Sequence, residues 1–189
     1  VFGSVRPKEE GAVASAAAAV AAALPDSRVV VAPRHLERVP GTVSALESRG
    51  LTTALRSDGV RDAVRAVVID TTGELARMYA AGVVSFVGGT LAPYGGHDPL
   101  EPAAQGVPVV VGPHTETCRD AAMRLTAAGA AFEVPDGPAL GRELVRLLSD
   151  DAARAEAGAN ALNTVAGGRG ATARTLEFLE SSGVIDATA

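Results

Sequence analysis

The chain has 189 residues, enough for one well-cored domain and marginal for two. A net charge of −5 gives it no general attraction to nucleic-acid backbones or anionic membranes, and an aromatic content of 3% without Trp removes the stacking platforms of single-strand binders. A single cysteine excludes an intrachain disulfide, and no apolar run reaches the roughly 18 residues of a transmembrane span.

Val1-Phe2 reads as the end of a strand. Gly3-Ser4-Val5-Arg6-Pro7-Lys8-Glu9-Glu10 then makes a strand-to-helix turn with two basic residues, without the Gly-Lys-Ser/Thr ending of a P-loop. Val13, Ala16, Ala17, Val20 and Leu24 share one face of an Ala-rich helix over 12–24. Val29-Val30-Val31 is a continuous apolar strand, and Pro33-Arg34-His35-Leu36-Glu37-Arg38 leaves its carboxyl end. Arg34 in that position suits a phosphate or carboxylate partner as a planar fork; a surface pair with Glu37 is the plainer alternative. His35 has no orienting partner in sequence and reads as structural or capping.

The strand Val67-Val68-Ile69 runs directly into Asp70-Thr71-Thr72-Gly73-Glu74-Leu75. Thr71 and Glu74 have capping-box spacing, which predicts a helix start; the amides of Thr72 and Gly73 suit a ligand anion equally well. Leu75, Met78 and Tyr79 form the next helix face. A strand over 83–87 precedes the run Gly88-Gly89-Thr90-Leu91-Ala92-Pro93-Tyr94-Gly95-Gly96-His97-Asp98-Pro99-Leu100-Glu101. Asp98, Pro99 and Glu101 have the order of an N-cap, an N1 proline and a capping-box acid. Two glycine pairs are more than a cap requires, which favours a ligand role, and a carboxylate at this strand end suits a ribose diol. Val109-Val110-Val111 leads to Gly112-Pro113-His114-Thr115-Glu116, which opens another helix, with Ala121, Ala122 and Leu125 on its inner face. Leu140, Leu144, Leu147 and Leu148 mark a further helix. No strand is predicted after Pro138; helices over 138–149, 151–165 and 170–182 finish the chain.

Alternation of short valine strands with helices predicts an α/β fold, a Rossmann-like parallel sheet with helices on both faces and a helical C-terminus. No GxGxxG is present, which argues against a dinucleotide dehydrogenase. His35, His97 and His114 all fall at strand ends and so share one predicted rim, but no paired His or Cys spacing points to a metal. Cys118 lacks a base partner in sequence, which argues against a nucleophile.

Taken together, the Gly3–Glu10, Pro33–Arg38, Asp70–Leu75, Phe86–Leu91, Gly95–Ala104 and Gly112–Thr115 runs resemble the C-terminal half of 3-deoxy-D-manno-octulosonic acid (Kdo) transferases. The resemblance covers nearly the whole chain in order and spacing. It implies the C-terminal half of a GT-B glycosyltransferase fold, with residues 1–189 as the nucleotide-sugar (donor) binding domain. It implies CMP-Kdo as donor, with contacts at Pro33, Arg34, Thr72, Gly73, Glu74, Asp98, Pro99, Leu100 and Glu101, and no cofactor and no bound metal. The parent protein would transfer Kdo to a lipid A precursor in lipopolysaccharide biosynthesis, at the cytoplasmic face of the bacterial inner membrane. Acceptor binding, the catalytic base and membrane association would belong to an N-terminal domain outside this chain. No catalytic residue is therefore expected among these 189, and a soluble, inactive domain is. A donor domain for another activated sugar, such as a UDP-sugar, and a non-catalytic interaction domain are the alternatives. Two positions depart from the family: Asp98 stands where Asn is usual, and Thr117-Cys118 where an Asn-Phe pair is usual.

Overall fold

The computed structural model describes residues 1–59, 63–168, 170–182 and 184. Seven strands form one sheet: β1 (Phe2–Val5), β2 (Val29–Pro33), β3 (Thr53–Leu55), β4 (Ala66–Val68), β5 (Ser85–Val87), β6 (Val109–Val111) and β7 (Ala131–Glu133). Every pairing is parallel, and the strand order is β3-β4-β2-β1-β5-β6-β7. The helices are α1 (Glu10–Ala23), α2 (Val39–Glu47), α3 (Leu75–Ala81), α4 (Leu100–Ala103), α5 (Arg119–Ala127), α6 (Gly137–Ser149), α7 (Asp151–Gly168) and α8 (Ala171–Ser181).

Side chains alternate across each strand, so a continuous valine run feeds two cores. Val29, Val31, Ala66, Val68, Phe86 and Val110 point to one face, where they pack with α1, α2 and α6. Val30, Ala32 and Val67 point to the other face beneath α3, and Val87, Val109 and Val111 pack there with residues of α4, α5 and α7. Phe2 and Phe86 meet as a tilted ring pair with centroids 6.2 Å apart. No described helix is long and apolar enough to cross a membrane.

Three elements escape the sequence reading. β3 is three half-buried residues at the sheet edge, too short for an alternation signal. β7 also lies at an edge, and its Ala131-Phe132-Glu133 ends on an exposed acid. α2 opens Val39-Pro40-Gly41, and these two helix breakers mask the periodicity of Val39, Thr42 and Leu46, all of which are buried. The late helices agree with expectation, although α7 runs three residues further, to Gly168.

The chain leaves β1 toward β2 and later returns to place β5 on β1's other side. Strand order therefore reverses between β1 and β5. In open α/β sheets the ligand crevice lies at such a reversal, outside the carboxyl ends of the strands.

Candidate ligand-binding site

The crevice is built on a buried carboxylate that the sequence reading did not single out. Glu9, in the 3-10 turn Pro7–Glu9 after β1, is fully buried. The amides of Arg6 and Gly89 donate to its Oε2 at 2.9 and 2.7 Å. Those of Leu91 and Ala92 donate to its Oε1 at 2.8 and 3.4 Å. One acidic side chain thus fixes the loop after β5 to the turn after β1. The only sequence sign of it is an acid inside an otherwise ordinary helix start.

The glycine pairs of the loop have structural work of their own. A Cβ on Gly88 would stand 2.4 Å from the Ser4 carbonyl oxygen, so β1 and the loop approach only because no side chain intervenes. A Cβ on Gly112 would likewise stand 2.3 Å from the Thr90 carbonyl oxygen. Thr90 is fully buried; its hydroxyl donates to the Val87 carbonyl at 2.6 Å and accepts from the Gly112 amide at 2.8 Å. The Thr117 hydroxyl lies 2.8 and 2.7 Å from the carbonyls of Gly95 and Gly96, which pins the second pair to the start of α5. An excess of glycine is thus accounted for by packing and is no longer an argument for a ligand.

Two caps sit elsewhere than their spacing predicts. Helix α4 starts at Leu100 with Pro99 as N-cap, so Asp98 precedes the cap; its carboxylate still accepts from the Leu100 amide at 2.9 Å. Helix α3 starts at Leu75 with Glu74 as N-cap, so Thr71 is no N-cap. Its hydroxyl donates to the Glu74 carboxylate within the loop instead. Gly73 takes a φ of +80°, which breaks the helical run that the capping box requires.

The predicted residues fall at the carboxyl ends of three strands. Pro33 ends β2 and is buried; Arg34 beyond it is exposed, and its amide donates to the Val5 carbonyl at 2.9 Å. Arg34 and Asp98 both act electrically on Glu101. Burial first, and Asp98 second, push the Glu101 carboxyl above its usual range, while Arg34 pulls it back. Thr72, Gly73 and Glu74 follow β4, two strands away from β1. Glu74 pairs with Arg56 at 3.3 Å and Asp70 accepts from the Ser57 amide at 3.0 Å, so this loop is tied to the β3–β4 connection. Among the described residues, no hydrogen bond or ion pair joins it to Arg34 or Glu101.

The shared histidine rim is partly present. Arg6 Nη1 lies 2.8 Å from His35 Nε2, and His97 sits close enough to Arg6, Arg34 and His35 to feel their charge. Burial and those neighbours hold His97 down to about 4. His114 turns to Glu116 at 3.5 Å. Among the described residues, no group of three His, Cys, Asp or Glu is arranged to hold a metal ion. Burial raises the Cys118 thiol above its ordinary value, which disfavours the thiolate a nucleophile needs. His97, Asp98, Cys118 and Arg119 line a cleft of about 390 Å³ between the glycine loop and α5. A larger groove of about 730 Å³ runs between α1 and α6 over Ala12, Ala16, Gly141 and Val145, and none of the predicted site residues lines it.

No family model matches the chain. Its sequence is 38% identical over 162 residues to the 3-deoxy-D-manno-octulosonic acid transferase of Bordetella pertussis, a match covering 84% of this chain and 38% of that one. It is 30% identical over 149 residues to the enzyme of the same name from Aquifex aeolicus, covering 79% and 41%. The chain therefore spans about two fifths of the length of these curated relatives. Among solved structures, the C-terminal CMP-Kdo binding domain of WaaA from Acinetobacter baumannii superimposes with a TM-score of 0.81 at 28% identity, covering 87% of this chain and 86% of that domain. The C-terminal domain of a group 1 glycosyltransferase (LpcC) from Francisella tularensis shares the fold, with a TM-score of 0.60 at 17% identity.

Proposed function

We propose, from the premise that this chain belongs to the Kdo transferase family, that it is the donor-binding domain of such an enzyme and holds CMP-Kdo in the crevice between β1 and β5. The likeness to the Acinetobacter CMP-Kdo binding domain over almost its whole length carries the reading. The site's chemistry is suited to it. Arg34 meets negative charge on the donor, and Glu101 accepts from the ribose hydroxyls. The Leu100 amide is engaged by Asp98, which leaves Asp98 a capping part at the mouth of the site. Pro33 and Leu100 supply apolar walls, and the backbone of Thr72 and Gly73, with Glu74 beside them, meets the base.

In this reading the parent protein has two domains. An N-terminal domain binds a lipid A precursor and supplies a carboxylate base. The base takes the proton of an acceptor hydroxyl, the hydroxyl oxygen attacks the anomeric carbon of Kdo, and CMP leaves with the bonding electrons. The membrane-facing surface and the position at the cytoplasmic face of the inner membrane belong to that other domain. The 189-residue chain binds the donor and does not turn over.

Calorimetric titration of the chain with CMP and with UMP tests this. CMP is expected to bind measurably more tightly than UMP. Equal or preferential UMP binding overturns the CMP-Kdo assignment in favour of a UDP-sugar donor.

A further inference from the structure

Arg6 stands at the carboxyl end of β1, at the point where strand order reverses, and belongs to none of the predicted contacts. Its position is defined by two neighbours. The guanidinium carbon lies 4.8 Å from the centroid of the Tyr94 ring, and Nη1 lies 2.8 Å from His35 Nε2. Stacking on an aromatic face and one hydrogen bond together fix a side chain that is otherwise rich in rotamers.

No carboxylate pairs with that guanidinium among the described residues. Elsewhere the fold does pair such groups: Arg38 with Glu10, Arg56 with Glu74, Arg146 with Glu143 and Arg154 with Asp151. Glu9, the acid nearest in sequence, spends both its oxygens on backbone amides. Arg34, at the end of the neighbouring strand, also has no ion-pair partner within contact distance among the described residues. Two cations therefore stand side by side at strand ends. Arg6 Nε and His97 Nε2, the latter on a ring that packs against Gly89 of the glycine loop, are both buried and both without a hydrogen-bond partner among the described residues. Buried polar atoms are nearly always satisfied, so an orphaned nitrogen within an unneutralised guanidinium and another on His97 mark a place completed by something else. The guanidinium Nε–H is completed by an oxygen acceptor, and the uncompensated cation favours one that carries negative charge.

We infer that Arg6, backed by His97, is a second anion-binding residue of this site, separate from Arg34, and reads a phosphate or carboxylate group of the ligand. The inference rests on the donor-site reading and deepens it. A CMP-activated keto acid carries two separate negative groups, a phosphodiester and a carboxylate at the anomeric carbon. Two arginines on adjacent strand ends divide that charge, where one arginine alone would leave the second group unpaired in a crevice that also holds Asp98 and Glu101. The device discriminates between ligands with two negative groups and ligands with one.

The test compares the wild-type chain with Arg6→Gln and Arg6→Lys, using cytidine, CMP, freshly prepared CMP-Kdo and inorganic phosphate as probes, read by calorimetry and by the His97 ring resonances. Removing one charge-assisted contact predicts about a tenfold loss of affinity for an anionic probe and none for cytidine. A loss present with CMP assigns the phosphate to Arg6, and a loss confined to CMP-Kdo assigns the carboxylate. Arg6→Lys keeps the charge without the fork and falls between wild type and Arg6→Gln. It also serves as the working variant if Arg6→Gln loses its native amide spectrum. Inorganic phosphate carries neither base nor sugar, so it tests the anion site apart from the nucleotide reading. A phosphate response lost in Arg6→Gln supports the inference even if UMP outcompetes CMP. The inference is overturned if the variants keep wild-type affinity for every anionic probe. It is also overturned if the loss is as large for cytidine as for CMP-Kdo, or if no anion moves the His97 resonances of the wild-type chain.

Discussion

Asp98 lies close enough to Glu101, at the first turn of α4, to make the Glu101 charge harder to keep. The Glu101 carboxyl is already raised, by burial and then by Asp98, with Arg34 opposing. Asp98→Asn removes one of the two raising influences while keeping an oxygen acceptor for the Leu100 amide. A negative neighbour disfavours ionisation, so its removal lets Glu101 ionise at lower pH. Carbon-13 titration is expected to move the Glu101 midpoint downward, with stability in urea unchanged within about 0.5 kcal/mol. Affinity for CMP is expected to rise by about fivefold, because one charge that repels the phosphate is gone. An unmoved Glu101 midpoint would show that Asp98 does not reach it, and an unmoved CMP affinity that the position does not meet the donor. Asp98 and Glu101 were visible in the sequence through the glycine run and the Asp-Pro-x-Glu order at a helix start, and Arg34 because polar residues right after a valine strand fall at its carboxyl end. Glu9 was not visible: three of the four amides that use it lie 80 to 83 residues away in sequence, and nothing local announces them.

At the scale of elements, legibility followed burial on both faces. Valine runs that feed two cores stood out in sequence. The edge strands β3 and β7 did not, because each is three residues long with at most one fully buried side chain. Capping chemistry was legible as a residue pattern but shifted in register, since spacing alone does not say whether a Gly such as Gly73 will adopt a positive φ inside the box. One cap that the sequence reading left unnamed is well formed. Asp136 precedes α6 and its Oδ1 accepts from the Ala139 amide at 2.8 Å. The helix it starts buries Leu140, Leu144 and Leu147 against α1 and the sheet. Asp136→Ala is expected to cost about 1 kcal/mol in urea unfolding, with the fold retained. A loss below about 0.3 kcal/mol would mean that packing on α1, rather than the cap, holds the first turn.

Across the whole molecule, the site is a joint between the beginning of the chain and its middle. The Glu9 carboxylate takes amides from both, so Glu9→Gln, which retains one acceptor and brings a donor where acceptors are needed, is expected to lower stability by about 2–4 kcal/mol in urea. A cost under about 0.5 kcal/mol would mean that the loop after β5 keeps its shape without the tie. Loops that meet ligands usually open on their own, far below the free energy of global unfolding. Here the Gly89 and Leu91 amides end on an acid that no solvent reaches. Their hydrogens are expected to exchange slowly with deuterium, because exchange requires the loop and the turn after β1 to part at Glu9. A loop anchored in this way is already set when a ligand enters the crevice, held by an acid that never meets that ligand.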